Sequence, residues 1–204
     1  MVLLHGVGED SRMWDGQREV ESERFRLLVP DLPGYGRSPG PFSLDAAVES
    51  LHASHRGGPV HLYGLSAGAM VALRWAARHP EDVASLIISG VQVYPSRVLL
   101  GLQSAVLRLV PARSFDGVAK RTVLEAMTAL RRADLRADLT DVRARTLVLC
   151  GSKDRFNLSA SRAAAEGIPG AVLRMVPDAG HVWNKEYPDL FHRTVLEWTL
   201  SFRL

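Results

Sequence analysis

Along the 204 residues, short runs of β-branched and leucine-rich positions alternate with longer stretches whose apolar residues recur at helical spacing. Residues 2–5, 25–29, 60–63, 85–89, 146–150 and 172–176 are almost continuously apolar, the pattern of strands covered on both faces. Residues 14–22, 44–55, 67–78, 160–166 and 189–202 carry the helical pattern. This alternation predicts an α/β fold, a mostly parallel sheet of about six strands joined by crossover helices. One stretch breaks the rhythm. More than fifty residues separate the run ending at Ser89 from the run beginning at Thr146. They hold two helical patterns, 96–109 and 115–132, split by Pro111. A crossover needs far less chain. Residues 95–142 are therefore expected to form a short helical cap inserted into a core made of 1–94 and 143–204. Active sites of open parallel sheets lie at the carboxyl ends of the strands, where such a cap would sit.

Composition leaves this picture intact. At 47% hydrophobic and 23% charged residues the chain is of ordinary globular type. No apolar run approaches the roughly 18 residues of a membrane span, so no membrane insertion is expected. Met1-Val2-Leu3-Leu4-His5-Gly6 has neither a basic leader nor a long apolar stretch, so no signal peptide is expected. Cys150 is the single cysteine and lies in the strand pattern Thr146-Leu147-Val148-Leu149-Cys150. A buried core thiol is expected there, with no disulfide, no cysteine metal site and a cytoplasmic location. Charge changes the picture more. The net charge is +3, yet residues 95–145 hold ten Arg or Lys against five Asp or Glu, so that segment carries +5 and the remainder −2. The basic character belongs to the expected cap.

Gly64-Leu65-Ser66-Ala67-Gly68 matches G-x-S-x-G. The motif alone is weak, but its context is not. A strand pattern precedes it and a helix pattern follows, so Ser66 falls on the turn of a nucleophile elbow. The glycines let strand and helix pack closely around the serine. The helix also points its positive end at the place where negative charge develops in acyl transfer. Three further segments occur in order: Leu3-Leu4-His5-Gly6-Val7-Gly8 followed by Trp14, Asp31-Leu32-Pro33-Gly34-Tyr35-Gly36-Arg37-Ser38, and His79-Pro80-Glu81-Asp82-Val83. Together these resemble the α/β-hydrolase-fold serine esterases over nearly the whole chain outside the cap. Carboxylesterases acting on pimeloyl-carrier-protein methyl ester and enol-lactonases are the most similar branches.

The resemblance implies a triad in the chain order serine, acid, histidine. His181 and His192 alone follow the last strand pattern. His181, in Asp178-Ala179-Gly180-His181-Val182, resembles the family's G-H loop and is the expected general base. His192 falls within a helix and is expected to be structural. His52, His55 and His79 are expected to be solvated, and His5 to shape the loop before Val7. Asp154, in Gly151-Ser152-Lys153-Asp154, resembles the family's G-x-x-D turn and is the expected acid. The backbone N–H groups of Val7 and Ala67 are implied as the oxyanion hole. No cofactor, metal or nucleic acid is expected, and the implied substrate is a small acyl ester, thioester or lactone. An acyltransferase and a non-catalytic ligand sensor on the same fold stay open. Two departures matter. Relatives carry a hairpin before the 2–5 strand; without one, 25–29 is expected at a sheet edge, where a second copy could pair to give a homodimer. The cap is short and basic, which points to an anionic or carrier-linked substrate approaching it.

Overall fold

A computed structural model of the chain describes residues 1–111 and 118–201. Five strands form one parallel sheet in the spatial order β1 (Val2–Leu4), β2 (Val60–Leu65), β3 (Val83–Ser89), β4 (Arg145–Gly151) and β5 (Val172–Val176). The register lays Leu3, Tyr63, Ile87 and Leu147 in a row across the sheet. These side chains meet Trp14, Trp183, Phe191 and Val195 on one face. Alternate residues Val2, Leu4, Leu62, Ile88 and Val148 point into a second core on the other face. Period-two alternation between two buried faces is why these strands read as unbroken apolar runs. The first face is covered by α1 (Asp15–Glu21) and α8 (Pro188–Leu200), the second by α2 (Leu44–Ser54), α3 (Ala67–Arg78) and α6 (Leu158–Gly167).

The sheet has five strands, not about six. Residues 25–29 lie where expected, alongside β1, but make only one parallel bridge, Val2 to Leu28. They are held there by Leu3 N–H to the Leu28 carbonyl, Leu28 N–H to the Met1 carbonyl and the Met1 ammonium to the Arg26 carbonyl. Leu28 is 40% exposed, and Pro30 follows with no N–H to extend a ladder. An apolar run here covers a sheet margin without joining it. At the opposite margin β5 forms as expected, but Val172 and Arg174 face solvent and only Val176 is buried.

Between β3 and β4 the chain forms α4 (Arg97–Leu109) and α5 (Lys120–Leu130), which pack on each other. Arg113 and the expected helix start at Phe115 lie outside the described residues. Arg145, counted above with the basic segment, instead begins β4. Its guanidinium stacks on the Trp198 ring at 3.6 Å, at the end of the sheet away from the loops that carry Ser66 and His181. A four-residue helix, α7 (Trp183–Glu186), was not legible as a separate element. No helix among the described residues is long and apolar enough to cross a membrane.

Candidate active site

Every strand of the sheet delivers a residue of interest from its carboxyl end. Ser66 follows β2 and precedes α3 with φ 57° and ψ −113°. A non-glycine residue in the left-handed half of the map is strained by roughly 1–3 kcal/mol and persists only where its surroundings impose it. Here they do. The Ser66 N–H bonds to the Ser89 carbonyl at 2.9 Å. A Cβ on Gly64 would collide with the Gly68 backbone, and one on Gly68 with the carbonyls of Leu4 and His5. The glycines of the motif therefore let β2, α3 and the β1 loop close around the serine. On the far side, a Cβ on Gly6 would stand 3.3 Å from that of Ser66.

The loop after β1 is pinned through His5, which is fully buried. Its Nε2 accepts from the Leu32 N–H at 3.0 Å, which leaves Nδ1 to donate to the Gly6 carbonyl at 2.9 Å. Burial holds the His5 imidazole below its ordinary pKa, the neutral form that this accept-and-donate pattern requires. Asp31 anchors the neighbouring loop by accepting from the backbone N–H groups of Ser11 (2.9 Å) and Arg37 (3.1 Å). A side chain at Gly36 would strike the Asp31 carboxylate. That contact gives a physical reason for glycine at this point of the Asp31–Ser38 motif. Val7, next in the pinned loop, and Ala67, at the start of α3, line the same cavity as Ser66.

Asp154 and His181 come together from the loops after β4 and β5. Their loops are stitched by the Lys153 N–H to the Ala179 carbonyl and by the Asp178 N–H to Ser152 Oγ, both 2.9 Å. Gly151 permits this closeness, since a Cβ there would meet the carbonyls of Ala179 and Gly180. Asp154 Oδ2 accepts from His181 Nδ1 at 2.7 Å. The Asp154 side chain is 4% exposed and that of His181 36%. Burial alone would raise the Asp154 carboxyl. The bonds and charge of His181, with donors on Asn157, outweigh it and hold the carboxyl below its ordinary value. With Nδ1 committed to Asp154, Nε2 is the imidazole nitrogen left for proton transfer.

Some contributors carry no sequence motif. Asn157 Nδ2 donates to both Asp154 oxygens, at 2.8 and 2.9 Å, and lies 3.1 Å from His181 Nδ1. Gln92 in turn donates to Asn157 Oδ1 at 2.7 Å. Glu186 accepts from the Gly180 N–H at 3.0 Å, and Trp183 Nε1 donates to Ser89 Oγ at 2.8 Å, fixing the histidine loop from behind. Gly90, at φ +58°, leaves no room for a side chain: a Cβ would fall 2.6 Å from His181 Cε1 and 3.3 Å from Asp154 Oδ2. The three-residue step from Asp154 to Asn157 was the one available hint, an Asx-type spacing at the start of a helix.

Ser66, His181 and Asp154 line one cavity of about 630 Å³ with Arg136 and Met127. An apolar groove of about 560 Å³ beside α4 shares Val7, Gln103, Met127 and Phe156 with it. Arg136 is paired with Asp134 at 2.6 Å and lies 4.2 Å from the Tyr94 ring centre. His192 bonds the buried Glu21 at 2.9 Å, on the other side of the sheet from α3 and outside this cavity. Cys150 is a buried free thiol whose pKa burial pushes up.

The model of the alpha/beta hydrolase family matches residues 1–194. The chain belongs to this family. Among its relatives, an AB hydrolase superfamily protein of Gibberella zeae is 29% identical across all of this chain and 81% of its own length. A pimeloyl-[acyl-carrier protein] methyl ester esterase of Chromobacterium violaceum is 28% identical over 97% of this chain and 92% of its own. In three dimensions the family fold is matched by the enol-lactonase of Burkholderia xenovorans, with TM-score 0.87, 22% identity and coverage of 97% and 90%.

Proposed function

We propose that this hydrolase cleaves a carboxylic ester, thioester or lactone through an acyl-enzyme on Ser66. One observation carries the reading. A serine in a strained strand-to-helix turn opens into the same cavity as a histidine already bonded, at 2.7 Å, to a buried carboxylate. Ser66 Oγ attacks the acyl carbonyl while His181 Nε2 takes its proton. The N–H groups of Val7 and Ala67 hold the resulting oxyanion. Collapse breaks the ester bond, and the leaving alkoxide or thiolate takes the proton from His181. Water then attacks the acyl-enzyme with His181 again as base, giving the carboxylic acid and free Ser66. Asp154 fixes the tautomer and stabilises the imidazolium, and Asn157 keeps Asp154 in place.

Residues 95–142 act as the cap of this site. Two of their arginines are neutralised locally, Arg121 by Glu125 and Arg136 by Asp134, both at 2.6 Å. Arg97, Arg108, Arg131 and Arg132 supply the field that would draw in an anionic or carrier-linked ester. That substrate class is supported by the carrier-protein esterases among the relatives. A second copy of the chain is the proposed partner for the outer margin at 25–29, and sedimentation tests it. The cytoplasm is the proposed location, in keeping with the unpaired buried Cys150.

A panel of acyl esters of graded chain length tests the activity. Wild type is expected to release acid, and Ser66→Ala none above background. Acyl transfer to an added alcohol in preference to water would replace the hydrolase reading with an acyltransferase. Unchanged turnover in Ser66→Ala would overturn it.

A further inference from the structure

Three imidazoles and a carboxylate meet at the end of the sheet opposite Ser66. His52 lies in the last turn of α2, and His55 caps that helix. His79 caps α3, and the turn Pro80–Asp82 brings Asp82 back beside it. Both helices run against the strands, so their C-termini lie where β2 and β3 begin. His52 Nδ1 is 2.8 Å from Asp82 Oδ2, and His55 Nε2 is 3.8 Å from Asp82 Oδ1. The His52 and His79 rings stack with centroids 3.8 Å apart and planes 12° apart. Donor atoms of His52, His79 and Asp82 all lie within 4.8 Å of one another. Trp75 Nε1 donates to Asp82 Oδ2 at 3.4 Å, and Glu81 stands 4.0 Å from His79 Nδ1.

The sequence pattern pictured these histidines as solvated. That holds for His52, but His55 has a buried Nε2 with no hydrogen-bond partner, and the side chain of Asp82 is 14% exposed. Pairing with Asp82 accounts for His52 at 2.8 Å and, more loosely, for His55 at 3.8 Å. It does not account for the stacking of His79 on His52. An imidazole nitrogen with its lone pair free is a common metal ligand. Two helix C-termini converge here as well, and their carbonyl ends favour a cation. The donors are imidazole nitrogens and one carboxylate, with no thiolate. That set suits a borderline divalent ion of the first transition row; magnesium and calcium prefer all-oxygen shells.

We propose that His52, His79 and Asp82, with His55 as a fourth donor, bind a divalent transition-metal ion, zinc being the best chemical match. Tetrahedral zinc, with bonds of about 2.0–2.2 Å, needs its donor atoms drawn to roughly 3.3 Å apart. His52, 43% exposed at its side chain, can leave the stack to reach that geometry. The ion would tie the end of α2 to the turn between α3 and β3. The twelve residues of α3 put about 18 Å between this site and Ser66, so occupancy should alter stability and leave ester turnover alone.

The test takes the full chain without an affinity tag, strips it with chelator and titrates it with zinc chloride. Magnesium chloride is the control. One zinc ion should bind per chain, and Tm should rise with zinc but not with magnesium. The His52→Ala/His79→Ala variant should bind zinc at least about tenfold more weakly and lose the rise in Tm. In chelator it should turn over ester as wild type does, which also shows that it is folded. If it does not fold, His79→Gln is measured in its place, with the same loss expected. Because zinc could also reach His181 and Asp154, His181→Ala is titrated in parallel and should keep the rise. No saturable zinc binding, or binding abolished by His181→Ala and untouched by the double variant, overturns the proposal.

Discussion

Ser66 is held at φ 57° by contacts that no alanine substitution removes, so Ser66→Ala should fold while losing roughly 10⁴-fold or more of ester turnover. His181→Ala and Asp154→Ala should each lose orders of magnitude, and combining them with Ser66→Ala should add little, because the three act as one unit. Asn157 acts through Asp154. Its removal takes a charge-assisted donor from a buried carboxylate, so Asn157→Ala should lower kcat about tenfold or more with KM little changed. Rescue by Asn157→Gln would argue against so tight a positional role. Gly90→Ala tests the crowding around the pair, since its Cβ would press on His181. Loss of kcat with unchanged far-UV circular dichroism is expected, and normal kcat would contradict the packing described. Acid stability follows from the same carboxyl. The folded pKa of Asp154 lies below the ordinary 3.8. Its contribution to stability is therefore complete above 3.8 and lost as pH falls from there through the folded value. Asp154→Asn should flatten that part of the acid-unfolding profile, and an unchanged profile would show the pair contributes nothing to folding. The placement of Ser66, His181 and Asp154 on loops at the carboxyl ends of the strands was legible because each sits in a local motif. Gln92 and Gly90 were not, because their roles rest on contacts with Asn157, Asp154 and His181 more than sixty positions away that no local pattern encodes, and the short step from Asp154 to Asn157 carries no motif of its own.

At the scale of elements, the central strands were legible because burial on both faces leaves an unbroken apolar signature. The margins were not. Residues 25–29 carry that signature yet make one bridge, because Pro30 and an exposed Leu28 end the pairing. In a lone chain, amide exchange should therefore be fast at 25–29 except at Phe25 and Leu28, whose N–H groups bond to the Glu21 and Met1 carbonyls, and slow through β2, β3 and β4. Protection across all of 25–29 would mean that the margin is paired in solution, as the homodimer reading requires. The helix α7 went unread because four residues give no periodicity to detect. The histidine cluster went unread for another reason. Its members come from the ends of two helices, and a solvated helix end and a contact between two helix ends look alike in sequence.

The described residues form a parallel sheet whose strand ends gather Val7, Ser66, Asp154 and His181 around one cavity. This arrangement was readable from the alternation of runs and the order of the motifs. The shape of the cavity was not, since it depends on how α4 and α5 settle above it. The basic segment makes a testable claim at this scale. Between about 20 and 300 mM salt, kcat/KM for a carboxylate-bearing or carrier-linked ester should fall steeply while that for a neutral ester holds. Charge reversal at Arg131 and Arg132 should flatten the slope, and parallel salt responses for the two substrates would remove the steering reading. The central claim is that Ser66 is an activated nucleophile, and the most direct measurement is labelling with a fluorophosphonate followed by peptide mapping. The account predicts one adduct per chain, on the peptide containing Ser66, slowed severely in His181→Ala and absent in Ser66→Ala. An adduct on another serine, or none in a preparation that hydrolyses esters, would contradict it.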